Sequence, residues 1–109
     1  MYARVTWLEG SPSQARDAIE GIRRDALPLI EEQPGFEELI LLLDREHGRA
    51  LTITTWETGE DLDASEETAR RLRMLPLARW RVSGTERYEV ALRRSPNGAG
   101  VEPGDPDRR

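Results

Sequence analysis

The residue best equipped for recognition is Trp56, inside the stretch TITTWETGEDLDAS, Thr52 to Ser65. An indole where a strand gives way to a helix can stack on a planar ligand in an apolar cleft. It can equally plug the end of a small core, because clefts and cores use the same residue types. Tyr88 carries a hydroxyl that could hold a substrate oxygen, or it could be buried at an interface. Arg4 and Arg87 lie on strand-like segments, and an inward arginine could hold an anion. Trp7, Trp80, Phe36 and Met74 could add walls to the same pocket or serve only as packing residues. His47, the only histidine, precedes Gly48 in a turn-like segment and reads as a turn residue before it reads as a base. Ser65 has no visible base to activate it and reads as a small residue permitting close packing. The carboxylate pairs Glu31–Glu32, Glu37–Glu38 and Glu66–Glu67 are sequence neighbours. Neighbours on a helix or strand point apart, so these are not acid–base dyads. No catalytic residue is assigned; the substrate-pocket candidates are Trp56, Tyr88, Arg4, Trp7, Trp80 and Phe36.

The residue types that are missing narrow the chemistry further. All 16 basic residues are arginine, which removes lysine Schiff bases, lysine-bound pyridoxal and the P-loop lysine. There is no cysteine, so thiolate catalysis, Cys-zinc sites and iron–sulfur ligation are excluded. One histidine cannot build a multi-His metal centre, and neither a metal nor a cofactor is expected. The net charge of -5, with no basic block, gives no footprint for nucleic acid or an anionic membrane. No apolar run is long enough to cross a bilayer, and no signal-peptide order opens the chain, so a cytoplasmic setting is expected.

The elements that must position these residues follow from periodicity. YARVTWL, Tyr2 to Leu8, reads as a strand. Ser11 as N-cap, Pro12 at the first helical position and Gln14 closing a capping box predict a helix start. Ala15, Ala18, Ile19, Ile22, Ala26 and Ile30 give its apolar stripe; Glu20 and Arg24 form an exposed pair, and Pro28 should kink or end it. Gln33-Pro34-Gly35 is a turn. FEELILLLD, Phe36 to Asp44, is apolar on both faces, since Leu39, Leu41 and Leu43 oppose Ile40 and Leu42. REHG makes a hairpin loop into RALTITTW, Arg49 to Trp56, which puts Ala50, Thr52, Thr54 and Trp56 on one face. Thr58 and Asp61 then cap a second helix, with Leu62, Ser65, Ala69 and Leu72 inside and the pairs Glu66–Arg70 and Glu67–Arg71 outside. Pro76 stops that helix. A last strand is expected from Val82 to Leu92, with Tyr88, Val90 and Leu92 on one face. Residues 1–92 thus form one domain, and 93–109, rich in Pro, Gly and charge, read as a disordered tail.

The order β-α-β-β-α-β predicts an α+β ferredoxin-like plait, a four-stranded antiparallel sheet with both helices on one face. The second strand is apolar on both faces, so the uncovered face needs a partner. A second copy packing sheet to sheet, a homodimer, is the simplest one.

Four motifs carry a family resemblance from Tyr2 to Leu92. They are PGF (Pro34 to Phe36), LLLD-x-x-x-G, ITTWET-x-EDL-x-AS and ERYEV (Glu86 to Val90). Their order and spacing resemble the antibiotic biosynthesis monooxygenase-like family, of the dimeric α+β barrel superfamily. The resemblance implies a homodimer joined through the sheet face. It also implies a domain that binds a small aromatic or polyketide-like molecule, with or without oxidising it in the absence of metal and flavin. The alternative is a non-catalytic ligand-binding or accessory dimer. Within the family, haem degraders use an Asn on the first strand, a Trp that Trp56 matches, and a His on the second helix. Here Thr6, Trp7 and Leu8 lie on that strand, and Ser65 and Glu66 stand in the region of the His, which argues against haem degradation. The cofactor-free oxygenases lean on Asn, Trp, Tyr and Arg, of which only the Trp is matched at a motif position.

Overall fold

The computed structural model describes residues 1–75 and 80–96. Pro76 as a helix stop, the approach to the last strand at 77–79, and the expected disorder of 97–109 lie outside the described residues.

Four strands form one antiparallel sheet: β1 (Tyr2–Gly10), β2 (Phe36–Asp44), β3 (Arg49–Trp56) and β4 (Trp80–Glu89), in the order β2-β3-β1-β4. The register sets Tyr2 opposite Trp56, Arg4 opposite Thr54 and Leu8 opposite Ala50. Even-numbered residues of β1 and β3 therefore share one face, and on β2 that face carries Leu39, Leu41 and Leu43. The first connection runs through a 3-10 turn (Pro12–Gln14), α1 (Ala15–Gly21), a π-helical stretch (Ile22–Ala26) and α2 (Leu27–Glu31). The second runs through α3 (Gly59–Ala64) and α4 (Glu66–Leu72). Both pack on the even face, which makes the α+β ferredoxin-like plait.

Several local expectations are met by other means. Ser11 makes no side-chain cap; its hydroxyl meets Ser13 Oγ at 2.9 Å, and its carbonyl accepts from the Gln14 N–H. Pro28 does not end the helix. Proline lacks an N–H and its ring crowds the carbonyl four residues back, and the wider π turn just before it makes room. The Glu20–Arg24 pair does not form: Arg24 binds Asp25 at 2.9 Å, and Glu20 lies 3.6 Å from Arg23. The Thr58 cap is present, its Oγ1 accepting the Asp61 N–H at 3.0 Å. β4 ends at Glu89, so Val90 and Leu92 do not continue a strand face with Tyr88. The Val90 N–H donates to the Met1 carbonyl instead, and Arg93 reaches Glu38 on the opposite edge strand at 3.1 Å.

Gly35 and Gly10 are required by their surroundings. Gly35 of the PGF turn has φ +80, and a Cβ there would lie 2.1 Å from Asp61 Oδ2. The tight turn thus docks against the start of α3. A Cβ at Gly10 would lie 2.3 Å from Trp80 Cγ, so glycine lets that indole seat on the end of β1. Trp80 packs there with Leu8, Ala15, Ala18 and Ala50 as one end of the core. Trp56 and Leu62 are the most deeply buried side chains at the other end.

Among the described residues the odd face of the sheet carries no helix. Leu42 is 50% exposed and Ile40 is exposed beside it on one edge strand, and Tyr88 is 49% exposed on the other. Among the described residues no helix is long and apolar enough to cross a membrane.

Candidate functional site

Between the even face and the helices lies a cavity of about 90 Å³. Its floor is Arg4, Thr6 and Leu8 of β1, Leu39 of β2, Thr52, Thr54 and Trp56 of β3, and Val82 of β4. Its roof is Ile22, Ala26, Ile30 and Gln33 on one side, and Ser65, Thr68, Ala69, Leu72, Arg73 and Leu75 on the other. The cavity exists because this end of the helix layer presents small residues, Ala26, Ser65 and Ala69, to a floor of short threonines. At the other end Trp80 fills the equivalent space. Gln33, Arg73 and Leu75 are only half-buried, so the cavity is not sealed.

Trp56 is both wall and plug. It is 2% exposed, and its ring meets Phe36 edge-on at a centroid distance of 5.6 Å. Its Nε1–H donates to Thr54 Oγ1 at 3.0 Å. With that hydrogen bond spent internally, the indole offers the cavity a hydrocarbon surface and no donor.

The polar corner is built on Arg4, whose side chain is 7% exposed. Its Nη1 donates to Ser65 Oγ at 3.0 Å, and its Nη2 donates to the Leu62 carbonyl at 3.1 Å and to Glu66 Oε1 at 3.0 Å. Ser65 Oγ in turn donates to the Leu62 carbonyl at 2.7 Å. Glu66 accepts a second guanidinium through Oε2, from Arg73 Nη2 at 2.8 Å. Burial lowers the Arg4 pKa from its ordinary value, with Glu66 opposing that shift. Glu66 is held below the usual carboxylate range, first by the Arg73 hydrogen bond, against the effect of burial. Because Glu66 turns inward to two arginines, the expected outer pair Glu66–Arg70 is absent; Arg70 and Arg71 both approach Glu67.

Of the sequence candidates, the structure brings only Trp56 and Arg4 to the cavity. Phe36 stands behind Trp56, one ring removed from the cavity. Trp80 belongs to the far end of the core, its Nε1–H given to the Ser11 carbonyl at 2.9 Å. Trp7 lies on the odd face with Leu42 and Leu51. Tyr88 lies on that face too, opposite Ala3, its hydroxyl donating to Glu86, which raises the Tyr88 pKa. Met74 is exposed. Arg87 pairs with Asp63 at the edge of the Arg4 corner. His47 braces the hairpin: its Nδ1 is 3.0 Å from Asp44 Oδ2, and its backbone N–H donates to Asp44 Oδ1. Arg49 and His47 together hold the Asp44 carboxyl down at about 2.

Arg73, Thr68 and the inward turn of Glu66 are the site residues that sequence reasoning missed. A signal was present: Arg4 shares its face with Leu8, the face the helices cover, and a buried guanidinium requires an anion. Among the described residues, no three His, Cys, Asp or Glu side chains cluster as a metal site would require.

No family model matches the chain. The uncharacterised protein Rv2558 of Mycobacterium tuberculosis (strain H37Rv) is 34% identical over 73 residues. That stretch spans 67% of this chain but only 31% of the relative. Among solved structures, the fold is similar to the haem degrader MhuD of Mycobacterium tuberculosis, solved with two haems in its active site. The TM-score is 0.65 at 19% identity, over 87% of this chain and 100% of that one. A dimeric ferredoxin-like protein from an uncultured marine organism matches with a TM-score of 0.64 at 9% identity, over 87% and 99%. SnoaB of Streptomyces nogalater, a cofactor-independent oxygenase, matches with a TM-score of 0.55 at 16% identity, over 86% and 94%. The chain therefore has the ferredoxin-like α+β fold of these proteins.

Proposed function

We propose that this chain binds a small, ring-sized organic molecule in the cavity beside Trp56. The observation that carries the reading is the cavity's construction: hydrocarbon on most sides, one indole wall, hydroxyls of threonine, and a charged corner. A cavity of about 150 Å³ lined by aliphatic side chains takes benzene. At about 90 Å³ and partly open, this one suits a single ring better than a fused polycycle. Calorimetric titration with single-ring phenols should give saturable binding that weakens in Trp56→Phe. Absence of binding by every member of the series would overturn the reading.

The fold shared with a cofactor-independent oxygenase favours a second reading, oxidation of the bound molecule by dioxygen. A carbon acid that loses a proton can pass electrons to dioxygen; one oxygen atom ends as a carbonyl and the other leaves as water. Oxygen uptake with the phenols that bind is the test, and binding without uptake would leave a ligand-binding domain.

We also infer a homodimer through the odd face of the sheet, where Leu42 and Ile40 are exposed near Trp7 and Tyr88 is exposed on the far edge strand. The dimeric ferredoxin-like neighbour supports this arrangement. Sedimentation at micromolar concentration should give twice the chain mass, and Leu42→Glu should give the monomer. A native chain that sediments as a monomer would sink the inference.

A further inference from the structure

The polar corner of the cavity carries more positive charge than it uses. Arg4 and Arg73 share one carboxylate, Glu66. The next arginine, Arg87, is balanced by Asp63. Two guanidiniums against one carboxylate leave a surplus of one positive charge at the cavity wall. The hydrogen bonds show the same surplus. Arg4 uses Nη1 and Nη2 on Ser65, Leu62 and Glu66. Arg73 gives Nη2 to Glu66, while its Nη1 is buried and has no partner among the described residues. Only one other buried side-chain polar atom among the described residues lacks a partner: Thr55 Oγ1, which lies on the opposite face of the sheet. A buried guanidinium nitrogen without an acceptor is costly, and a charged donor gains most from an anionic acceptor.

We propose that the cavity's ligand is a small carboxylate, a monoanion whose ring lies against Trp56 and Leu39 and whose carboxylate pairs with the guanidinium of Arg73, which lines the cavity and must turn Nη1 toward it to donate. This rests on the ligand-binding reading above and narrows it to one chemical class. Glu66 is part of the selection. It neutralises one guanidinium, so the corner attracts a single negative charge, and its own carboxylate repels a second. The same carboxylate offers a cationic ligand little, because both of its oxygens are engaged by arginine. Hydroxyls of Thr68 and Thr52 in the lining are further donors for the anion's second oxygen.

Benzoate, benzamide and benzamidine separate charge from shape, because the three share a ring and differ at the polar end as anion, neutral amide and cation. Calorimetric titration of the full chain should show benzoate binding about tenfold or more tighter than benzamide, with benzamidine weakest. In Arg73→Gln the benzoate preference should fall to within about twofold, chiefly by loss of benzoate affinity, since the anion loses a charge-assisted hydrogen bond and the amide a weaker one. Ala69→Leu, which fills the cavity, should abolish binding of all three. If Arg73→Gln unfolds, Arg73→Lys keeps the charge beside Glu66 but lacks the fork nitrogen; benzoate affinity should then fall about fivefold and benzamide affinity by less. Equal binding of benzoate and benzamide, lost in Ala69→Leu, would overturn the carboxylate and leave the cavity reading standing. A benzoate preference that survives Arg73→Gln would also overturn it. No binding by any of the three would overturn both.

Discussion

Trp56→Ala should lower the stability of the fold by about 3–5 kcal/mol, the cost of deleting a large aromatic from a packed site. The measurement is the urea midpoint at unchanged slope, which isolates stability from changes in the denatured state. Three observations put the expected loss toward the top of that range. The side chain is 2% exposed, so nearly all of its surface leaves water on folding. It abuts an existing cavity, so truncation enlarges a void that neighbouring side chains have already failed to fill. It also holds Phe36 edge-on and so ties the start of β2 to the end of β3. Trp56→Phe separates these effects. It keeps an aromatic against Phe36 but removes the N–H given to Thr54 Oγ1, and should cost about 1–2 kcal/mol. A loss below about 1 kcal/mol in Trp56→Ala would mean that the indole is not the plug its burial indicates. Enlarging the void also makes a prediction for ligands: molecules larger than one ring should gain affinity in Trp56→Ala if the indole is the wall that limits size.

The sheet and its faces were legible in the sequence because strand parity is a strict rule. Once Leu39, Leu41 and Leu43 are set against Ile40 and Leu42, each residue from Glu38 to Asp44 has its face; the irregularity between Phe36 and Glu38 sets Phe36 opposite Trp56 against the alternation. The hairpin through Gly48 carries that assignment to Trp56. Alternation alone does not tie the faces of β1 to those of β3, so Trp7 reads as a pocket wall beside Trp56 until the pairing is known. Pairing Tyr2 with Trp56 puts Arg4, not Trp7, on the cavity face. Tyr88 was open to the same ambiguity, because the register shift between Trp7 and Leu8 against β4 cannot be read from alternation. Helix detail was less legible still. Pro28 announces a problem for its helix, but whether the chain answers with a break or a π turn depends on what the sheet beneath it can accommodate. Glu66 was assigned to the outer face by i,i+4 spacing with Arg70. A buried Arg4 outweighs that exposed pair, since an unpaired interior charge costs several times what a surface ion pair gains.

That competition predicts an asymmetry within the polar corner. Glu66→Ala should destabilise the fold by about 2–3 kcal/mol, more than Arg4→Met, even though Arg4 is the more buried partner. Removing Glu66 leaves Arg4, 7% exposed, beside Arg73 with no anion between them. Removing Arg4 deletes the buried charge itself, fills the space with an unbranched apolar side chain, and leaves Glu66 bound to Arg73. Full burial of both partners would put the loss for Glu66→Ala at about 3–5 kcal/mol, but solvent screens this carboxylate and the range is lowered accordingly. Its exposure is 41%. The double variant Arg4→Met with Glu66→Ala should be more stable than Glu66→Ala alone, because the second change removes the charge that the first left stranded. Acid provides an independent check. The Glu66 pKa is lower in the folded chain than its ordinary value, so its contribution is complete above the ordinary carboxylate range and is lost as pH falls through the folded value. The gap between the native chain and Glu66→Ala should therefore be widest near neutral pH and narrow as pH falls below the ordinary carboxylate range. A gap that stays constant into acid would assign the loss to packing and leave the charge of Glu66 without a role. A gap that closes would identify the carboxylate as the group that lets two arginines stand at the wall of an apolar cavity.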